Sequence, residues 1–583
     1  MLHALLLIAG LCINSAAASA PVSRDDPESA DPEGAAISTA VGSAVVVTAN
    51  PLASAAALDI LKSGGSAVDA LVTAQAVLAV VEPQSSGLGG GGFLLHWDAR
   101  QQQLEALDGR ETAPQRSLPG DLLQPSGQPL DWREATSRLN AIGIPGAVAL
   151  LWQAHQQHGR LPWATTLQPA IRLASDGFRP SPRLLRSLAV AQRIGVTHSP
   201  AFQALYLPSG QPPPADRLFR NPALAHTLKH LAAHGGPAFY SGALARQILQ
   251  EISVLQPQEP GFRGWSAADL SAYAVERRPP LCHNVLNHRL CTMPPPSSGG
   301  LAVLQTLALL QSADALGAPT EPTTWQALAR AQTWADADRL YWVHDPRDGS
   351  IPTGPLLDPN YIQSRAKTMQ AKPLHRPAPG LPTGINTYPY AFPQQGKEQG
   401  TSHLAIVDAQ GNLASYTASV ETVFGSRHLV AGMVMNNQLT DFAFQPAING
   451  QPVANRRQPG SRPMSSMAPM IVFRQGEPLL SLGSPGGRSI PHILSRTLLA
   501  SLVWQESPAR AVGLPHLSSR DRILVLEQDP PLPWPVATTG LAGPGQQQRS
   551  QRVGSGIAVL QRINGRWHGV ADPRREGTAL SLP

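Results

Sequence analysis

The N-terminal part of the chain alternates short apolar runs with longer segments of helical periodicity. Residues 43–49, SAVVVTA, form an apolar β-branched run that predicts a buried strand. The next segment, PLASAAALDILKSGG, predicts a helix that ends at Gly64-Gly65. Ser66 and Asp69 have the spacing of a capping box, and the helix body ALVTAQAVLAVV after them is almost wholly apolar. A helix that is apolar on every side is expected to be buried on every side.

A run of four glycines, Gly89 to Gly92, follows this apolar helix and leads into a strand. Consecutive glycines indicate unusual dihedral angles or a close approach by another segment. No GK[ST] follows them, and the order is helix, glycines, strand, which excludes a phosphate-binding or dinucleotide-binding loop.

The pattern changes twice further along the chain. Residues from about 145 to 375 are mostly helical in pattern, and residues 373–400 lack periodicity and predict a long exposed loop. Strands follow, several joined by turns at Gly411-Asn412, Gln475-Gly476 and Asn564-Gly565. The predicted strands are 403–409, 411–420, 469–474, 478–483, 556–562 and 566–571.

The first 42 residues have the pattern of an export signal and a lead-in. A short apolar stretch is followed by small residues ending Ala18-Ser19-Ala20, which predicts a signal peptide over 1–20 and a periplasmic or secreted protein. Residues 21–42 are mostly acidic and Pro-containing and predict a disordered segment. Leu11 is too large for the position before a lipidated Cys12, so no membrane anchor is expected.

Composition narrows the possible functions. The 583 residues are 42% apolar and 14% charged, and no run of eighteen apolar residues occurs. The net charge of +6 is spread along the chain without a Lys/Arg block, so nucleic acid is not an expected partner. The 17 His are scattered, and neither HExxH nor CxxC occurs, so neither a metal nor a cofactor is predicted.

Two cysteines remain once a signal peptide is removed, Cys282 and Cys291. An even pair in an exported chain favours a disulfide, and LCHNVLNHRLC is typical of two short strands around a turn. Two free thiols packed as small apolar residues are the alternative.

Gly400-Thr401 lies where a Gln/Gly/Lys-rich loop meets a predicted strand. One interpretation is a loop that simply ends in a strand, with Thr401 as its first β-branched residue. The other is that the chain is cut here, which makes Thr401 a new N-terminus.

Ten motifs occur in one order along the chain: DILKSGGSAVDA, EPQSSGLGGGGF, GRETAP, GIPGAV, MPPPSSGG, GTSHLAIVDAQGN, NNQLTDF, RPMSSMAPMIV, GSPGG and ADPRREG. With these motifs the chain resembles the gamma-glutamyltranspeptidase family of N-terminal-nucleophile hydrolases, from about residue 43 to 577. The resemblance implies an α/β fold, a four-layer αββα sandwich, made as one chain and self-cleaved into two interlocked subunits, 43–400 and 401–583.

The resemblance implies that Thr401 attacks first the Gly400 carbonyl and later the γ-amide of the substrate. A hydroxyl is a weak nucleophile, and the freed α-amine, with a pKa of about 8, supplies the base. Gly486 and Gly487 are expected to offer backbone amides to the oxyanion at a helix N-terminus, although a generic strand-to-helix turn also explains them. His403 is expected to be structural.

A glutamyl group carries a carboxylate and an ammonium, and the resemblance implies residues for both. Arg110, Ser465 and Ser466 match the family's carboxylate-binding residues, and Gln438 and Asp441 match those that face the ammonium. Taken alone, a single Arg is usually a surface residue and Ser-Ser is usually a turn.

Several positions depart from the family pattern. The segment between Phe442 and Arg462 is short and has no Tyr, which predicts a reduced lid and an open site. The substituted positions are Glu421 for Asn near the ammonium, Ser419 for a supporting Thr, Thr440 for an acidic residue and Gly109 for an aromatic.

Three functions are therefore open. The first is an enzyme that transfers γ-glutamyl groups from glutathione or related amides to water, an amino acid or a peptide. The second is an acylase on the same scaffold that cleaves glutaryl groups or poly-γ-glutamate. The third is a homologue that binds γ-glutamyl ligands without turnover.

Overall fold

Two seven-stranded antiparallel sheets form the centre of the protein in a computed structural model. The structure describes residues 36–193, 199–259, 261–372, 377–392, 400–520 and 522–583. The predicted signal peptide, the first part of the lead-in and residues 373–376 and 393–399 of the predicted loop lie outside the described residues.

The strands in the described part of the chain are β1 Ser38–Gly42, β2 Ala44–Thr48, β3 Gly91–Asp98, β4 Gln103–Gly109, β5 Glu276–Arg278, β6 Leu281–Val285, β7 His288–Thr292, β8 Ser402–Val407, β9 Leu413–Ser419, β10 Leu429–Val430, β11 Met433–Val434, β12 Ala447–Ile448, β13 Gln451–Pro452, β14 Met470–Arg474, β15 Glu477–Gly483, β16 Leu517–Arg520, β17 Ile523–Glu527, β18 Gln547–Gln551, β19 Ala558–Ile563, β20 Arg566–Ala571 and β21 Thr578–Leu582.

The α-helices in the same residues are α1 Pro51–Lys62, α2 Ala67–Val81, α3 Trp132–Ala135, α4 Ala147–His158, α5 Trp163–Asp176, α6 Pro182–Arg193, α7 Pro200–Tyr206, α8 Pro222–His234, α9 Gly242–Leu255, α10 Ala267–Ser271, α11 Gly299–Ser312, α12 Pro322–Trp342, α13 Thr353–Leu356, α14 Pro359–Ala371, α15 Ile490–Leu502 and α16 Pro508–Gly513. None of these helices combines the length and the apolar character needed to cross a membrane.

The two sheets interleave strands from both ends of the chain. One has the order β1-β20-β19-β15-β14-β7-β6 and the other β21-β2-β8-β9-β3-β4-β5. β8 and β9, which begin directly after the Gly400-Thr401 junction, therefore lie between strands of the N-terminal half. A cut at this junction would leave two chains that share both sheets.

The layers of the fold follow from the alternation of side chains between the two faces of each sheet. In β2, Val46 packs with the cluster that contains α1, α2, α4 and α5, whereas Val45 and Val47 pack with residues of the other sheet. The sheet that contains β6, β7, β14 and β15 is covered in turn by α11 and α15, and α12 packs against α11. Because strand side chains alternate between faces, each sheet contributes to two apolar layers, and the arrangement is the predicted αββα sandwich.

The strongest local patterns in the sequence correspond to elements of the structure. All fifteen residues of α2 are buried, and Ser66 and Asp69 form the capping box that opens it. Gln475 and Gly476 both adopt positive φ, +54° and +86°, as a tight hairpin turn requires. The predicted disordered lead-in is wrong at its end, because residues 38–42 form β1 and pair with β20 along the edge of a sheet.

Cys282 and Cys291 lie directly opposite each other in the β6–β7 hairpin and are joined by a disulfide. The two cysteines are nine positions apart in sequence and lie at the edge of the sheet, so the disulfide fixes one hairpin. It does not connect distant parts of the fold.

Candidate active site

Thr401 stands immediately before β8, and its hydroxyl lies against the peptide bond that precedes it. Oγ1 donates a 2.6 Å hydrogen bond to the carbonyl oxygen of Gly400, and the residue is only 3% exposed. β8 is held on both sides, by β2 and by β9. The nucleophile predicted from the sequence is therefore attached to the centre of a sheet and already touches the group that it is expected to attack.

A second hydroxyl meets the same carbonyl. Ser419, at the end of β9, donates a 2.6 Å hydrogen bond to the Gly400 oxygen and accepts one of 2.7 Å from the backbone amide of Glu421. Both donors withdraw electron density from the carbonyl, which makes its carbon more susceptible to attack.

Gly400 has a conformation that other residues do not fit. Its φ is +59°, and a Cβ built on it would lie 2.1 Å from the carbonyl oxygen of Glu421. A side chain would therefore force the Gly400-Thr401 peptide away from Ser419, so glycine at this position is a requirement of the geometry.

Arg575 holds the backbone of Thr401 through its carbonyl group. Its Nη1 donates a 2.6 Å hydrogen bond to the Thr401 carbonyl oxygen, and its Nη2 donates to the carbonyl of Gly554. Arg575 is 3% exposed. In the sequence, Arg575 stands out only as part of the ADPRREG motif, because no local pattern connects it with a residue 174 positions earlier.

Arg110 and Asp441, two of the predicted substrate-binding residues, form a buried ion pair. Arg110 Nη2 lies 2.5 Å from Asp441 Oδ2, and both side chains are almost completely buried. Gln438 Nε2 lies 3.5 Å from the same carboxylate oxygen. The site thus places a fixed positive charge directly beside a fixed negative charge.

The guanidinium of Arg110 is also attached to the segment that carries the serine pair. Its Nε donates to the Pro463 carbonyl at 3.2 Å and its Nη2 to the Met464 carbonyl at 2.9 Å. Ser465 and Ser466 follow directly, so the predicted carboxylate-binding residues are brought together.

The two serine side chains have different partners. Ser466 Oγ accepts a 2.7 Å hydrogen bond from Arg339 Nη1, whereas Ser465 Oγ accepts one from the backbone amide of Met467. Arg339 lies on α12, pairs with Asp336 at 2.5 Å, and is completely buried. Arg339 is a positioning residue that sequence reasoning missed, because it comes from a helix of the other layer.

Two asparagines join the parts of the site. Asn437 Oδ1 accepts from the amide of Thr422, beside Glu421, and Asn437 N donates to the Val420 carbonyl. Asn455 Nδ2 donates to the Asp441 carbonyl at 2.7 Å, and its Oδ1 accepts from the Met464 amide. The Asn437 contacts hold the segment around Glu421, and the Asn455 contacts connect Asp441 to the segment that carries the serine pair.

Glu111 lies beside Arg110 in the interior. The carboxylate is 3.7 Å from Arg110 Nη1 and fully buried, and burial raises the pKa of Glu111 to about 7 although Arg110 opposes the rise.

His403, on β8, faces the end of β15 in the other sheet, where the Gly486-Gly487 turn follows. His403 is buried, which lowers its pKa to about 3, and its Nδ1 bonds Thr417 Oγ1 at 2.8 Å. The ring packs against Gly483, where a Cβ would lie 2.3 Å from it. The turn that follows Gly483 has φ of +127° and +51° at its two glycines and leads into α15.

Three of the residues that depart from the family pattern have a local contact or backbone angle that bears on the substitution. A Cβ on Gly109 would lie 2.6 Å from Leu150 of α4, so an aromatic side chain does not fit there. Thr440 donates its hydroxyl to the Asn437 carbonyl at 2.9 Å. Glu421 has a φ of +80°, a region that Asn adopts more readily than Glu, so the substitution has a local backbone cost.

The short segment between Phe442 and Arg462 still covers part of the structure. It contains the β12–β13 hairpin, and Gln451 of this hairpin donates a 3.0 Å hydrogen bond to the Tyr388 carbonyl. Asp441 is 9% exposed. The hairpin therefore contacts the segment upstream of Gly400, and the reduced lid with an open site stays a prediction.

A threonine hydroxyl against the carbonyl before it, at the start of a central strand in an αββα sandwich, defines the class of N-terminal-nucleophile hydrolases. Residues 53–582 match the gamma-glutamyltranspeptidase family. The chain belongs to this family and is an enzyme of that class.

Relatives with two different names resemble the chain almost equally. It is 31% identical over 554 residues to a glutathione hydrolase proenzyme of Bacillus subtilis, with 92% of this chain and 91% of the relative covered. It is also 31% identical over 549 residues to the acylase ACY 1 proenzyme of Pseudomonas sp. strain V22, with 92% and 93% covered. The crystal structure of cephalosporin acylase from Bacillus halodurans is similar with a TM-score of 0.81, at 25% identity, over 94% of this chain and 97% of that one.

Proposed function

We propose that this protein removes the γ-glutamyl group from glutathione and related γ-glutamyl amides, through a γ-glutamyl ester of Thr401. Supporting observations are the contact between Thr401 and the Gly400 carbonyl and the family to which the chain belongs. The observation that carries the substrate assignment is the buried Arg110–Asp441 pair.

The first reaction releases the nucleophile. Thr401 Oγ1 attacks the Gly400 carbonyl carbon, its proton passes to the departing amide nitrogen of Thr401, and the peptide bond becomes an ester. Water then hydrolyses the ester, which leaves a carboxylate on Gly400 and a free α-amine on Thr401. Ser419 donates to the oxygen that becomes negative during the attack, and Arg575 holds the Thr401 carbonyl in place.

The second reaction uses the same hydroxyl on the substrate. The α-amine accepts the Oγ1 proton as Oγ1 attacks the γ-carbonyl, and the proton then passes to the departing amine. Water, an amino acid or a peptide removes the γ-glutamyl group from the ester. Gly486 and Gly487 supply backbone amides to the oxyanion in this account, since their turn leads into the N-terminus of α15.

The substrate's α-carbon carries the two charges that Arg110 and Asp441 complement. In the ligand-free protein these side chains neutralise each other. A bound glutamyl group places its carboxylate against Arg110 and the serine pair, and its ammonium against Asp441, Gln438 and Glu421. A ligand that carries only one of these two charges would leave one member of the Arg110–Asp441 pair unmatched, which is costly in a buried site.

A glutaryl acylase is the second candidate function. The likeness to the acylase ACY 1 proenzyme and to cephalosporin acylase favours it. A glutaryl group carries the carboxylate and lacks the ammonium, so the negative charge of Asp441 would have no partner on the substrate. The α-ammonium nitrogen is therefore the substrate atom that distinguishes the two candidate functions.

Turnover of matched γ-glutamyl and glutaryl anilides tests the proposal. We expect kcat/KM for the γ-glutamyl anilide to exceed that for the glutaryl anilide at least tenfold, since one charge-assisted contact contributes about 1.5–3 kcal/mol. The reverse preference would assign the acylase function. A thermal shift with glutamate but no turnover of either anilide would indicate a ligand-binding homologue.

We also propose export and two-chain assembly. The signal peptide over 1–20 directs the chain out of the cytoplasm, and the fragments before and after the cut remain together as a heterodimer. Shared sheets support the assembly, because β8 and β9 of the second fragment lie between β2 and β3 of the first.

A further inference from the structure

Three side chains with metal-binding atoms converge at the end of the β3–β4 hairpin that is remote from Arg110. His96 and Glu105 are direct cross-strand partners, and His158 is the last residue of α4. His158 Nε2 lies 3.0 Å from Glu105 Oε2, and the two imidazole rings stack with centroids 3.8 Å apart. One ligand atom from each of the three residues lies within 4.8 Å of the others.

The two histidines differ in their access to solvent. His96 is 2% exposed, and its Nδ1 has no hydrogen-bond partner among the described residues. A buried imidazole nitrogen without a partner is costly in an apolar interior. Glu105 and His158 have side chains 17% and 15% exposed, which leaves a route for an ion and for water.

We propose that His96, Glu105 and His158 bind a zinc ion, with water in the fourth position. Two imidazoles and one carboxylate are a ligand set that Zn²⁺ accepts in tetrahedral geometry, at about 2.0–2.2 Å from each ligand atom. Ligand atoms at these distances are about 3.4 Å apart. His158 Nε2 and Glu105 Oε2 are 3.0 Å apart and all three ligand atoms lie within 4.8 Å of one another, so a small side-chain movement completes the geometry. Rotation of His158, at the end of its helix, supplies this movement.

Arg277 orients the carboxylate from behind. Its Nη1 bonds Glu105 Oε1 at 2.8 Å and its Nη2 bonds Gln157 Oε1 at 2.8 Å, which leaves Glu105 Oε2 toward the histidines. Contacts of this kind fix the direction of a metal ligand. The positive charge of Arg277 also lowers the affinity for a cation, so we expect binding in the micromolar range.

The site connects three elements and lies away from the nucleophile's surroundings. Glu105 and Arg110 are five strand positions apart, a separation of about 17 Å along the strand. An ion held by β3, β4 and α4 binds the folded state more tightly than the unfolded one, so it raises Tm by mass action.

The test is a zinc titration of metal-stripped protein by calorimetry, with Tm measured with and without Zn²⁺. We expect one site per chain, a higher Tm with Zn²⁺ than with Mg²⁺, and at least a tenfold loss of affinity in His158→Gln. Glutamine can still donate to Glu105, so the metal-free Tm of this variant stays near that of the wild type. Co²⁺ provides a second measure, because tetrahedral coordination gives a visible absorption band that His158→Gln abolishes.

An exposed histidine pair serves as the matched control. His230 and His234 of α8 stack with centroids 4.3 Å apart and are four residues apart on a helix, which is itself a weak metal-binding arrangement. The proposed site is supported if His230→Gln/His234→Gln leaves the zinc affinity and the Tm shift unchanged. The same two quantities must be lost in His158→Gln. Absence of stoichiometric binding, or binding that survives His158→Gln, overturns it.

Discussion

Ser419 Oγ donates a 2.6 Å hydrogen bond to the carbonyl oxygen of Gly400, the oxygen that also accepts from Thr401. The end of one strand thus polarises the peptide bond that precedes the next strand along the sheet. The contact depends on pairing between β8 and β9, so the cleavage geometry forms only when the sheet has formed.

Removal of the Ser419 hydroxyl is predicted to slow self-cleavage. Loss of one oxyanion donor typically costs about 10²–10³ in rate, and we expect the half-time of processing in Ser419→Ala to rise by a factor in this range. Gel densitometry of freshly refolded precursor over time measures it. Ser419→Thr keeps the hydroxyl and is the control; equal rates for Ser419→Ala and wild type would exclude the role.

Gly400→Ala is predicted to block cleavage without unfolding the protein. The added methyl meets the Glu421 carbonyl oxygen at 2.1 Å and displaces the scissile bond from Ser419. Gly476→Ala is the matched control, since Gly476 also has positive φ, +86°, but nothing lies within 4 Å of its added Cβ. Normal cleavage in Gly400→Ala would contradict the geometric requirement.

Asp441→Asn is predicted to change selectivity between substrates. Removing the negative charge weakens the contact with the α-ammonium, so KM for the γ-glutamyl anilide rises at least tenfold, about 1.4 kcal/mol or more. The glutaryl anilide has no ammonium and serves as the internal control, with a smaller change expected. Equal KM changes for both substrates would show that Asp441 acts through the structure of the pocket alone.

Glu82 provides a pH test of stability. It is buried at the end of α2, with Arg183 Nη1 3.4 Å from Oε1, and burial raises the pKa of Glu82 from 4.5 to about 7 although Arg183 opposes the rise. The folded state therefore binds this proton more tightly than the unfolded state. Its contribution to stability is present below pH 4.5 and is lost as the pH rises from 4.5 to 7.

We expect the contribution of Glu82 to the free energy of unfolding to fall by about 3 kcal/mol across this pH range. Urea unfolding of Glu82→Gln in the uncleaved Thr401→Ala background is predicted to show a smaller decline from pH 4.5 to pH 7 than the parent. Glu477→Gln, at an exposed hairpin end, is the control and leaves the decline unchanged. A parallel decline in Glu82→Gln would mean that other groups account for the pH dependence.

Local patterns predicted the elements, and long-range contacts account for most of what they missed. The capping box at Ser66, the buried α2 and the hairpin turns were readable because a few neighbouring residues decide them. Residues 38–42 looked like a disordered tail, yet they become ordered by pairing with β20, more than five hundred positions later. Composition near a terminus does not reveal such a partner.

The residues of the site also divide into those that a sequence motif indicates and those that only the fold brings together. Motifs in family order supplied Thr401 and Arg110, whereas Arg575 reaches the Thr401 carbonyl only through the fold. The cluster of His96, Glu105 and His158 has no motif spacing, because two of its members are cross-strand partners and the third comes from a helix packed beside them.

The central claim is that Thr401 releases itself from Gly400 and becomes the catalytic N-terminus. Intact mass of purified wild type beside Thr401→Ala measures it most directly. The account predicts two fragments in wild type, ending at 400 and beginning at 401, and one uncut chain in the variant. An uncut wild type, or a variant cleaved at the same bond, would contradict it.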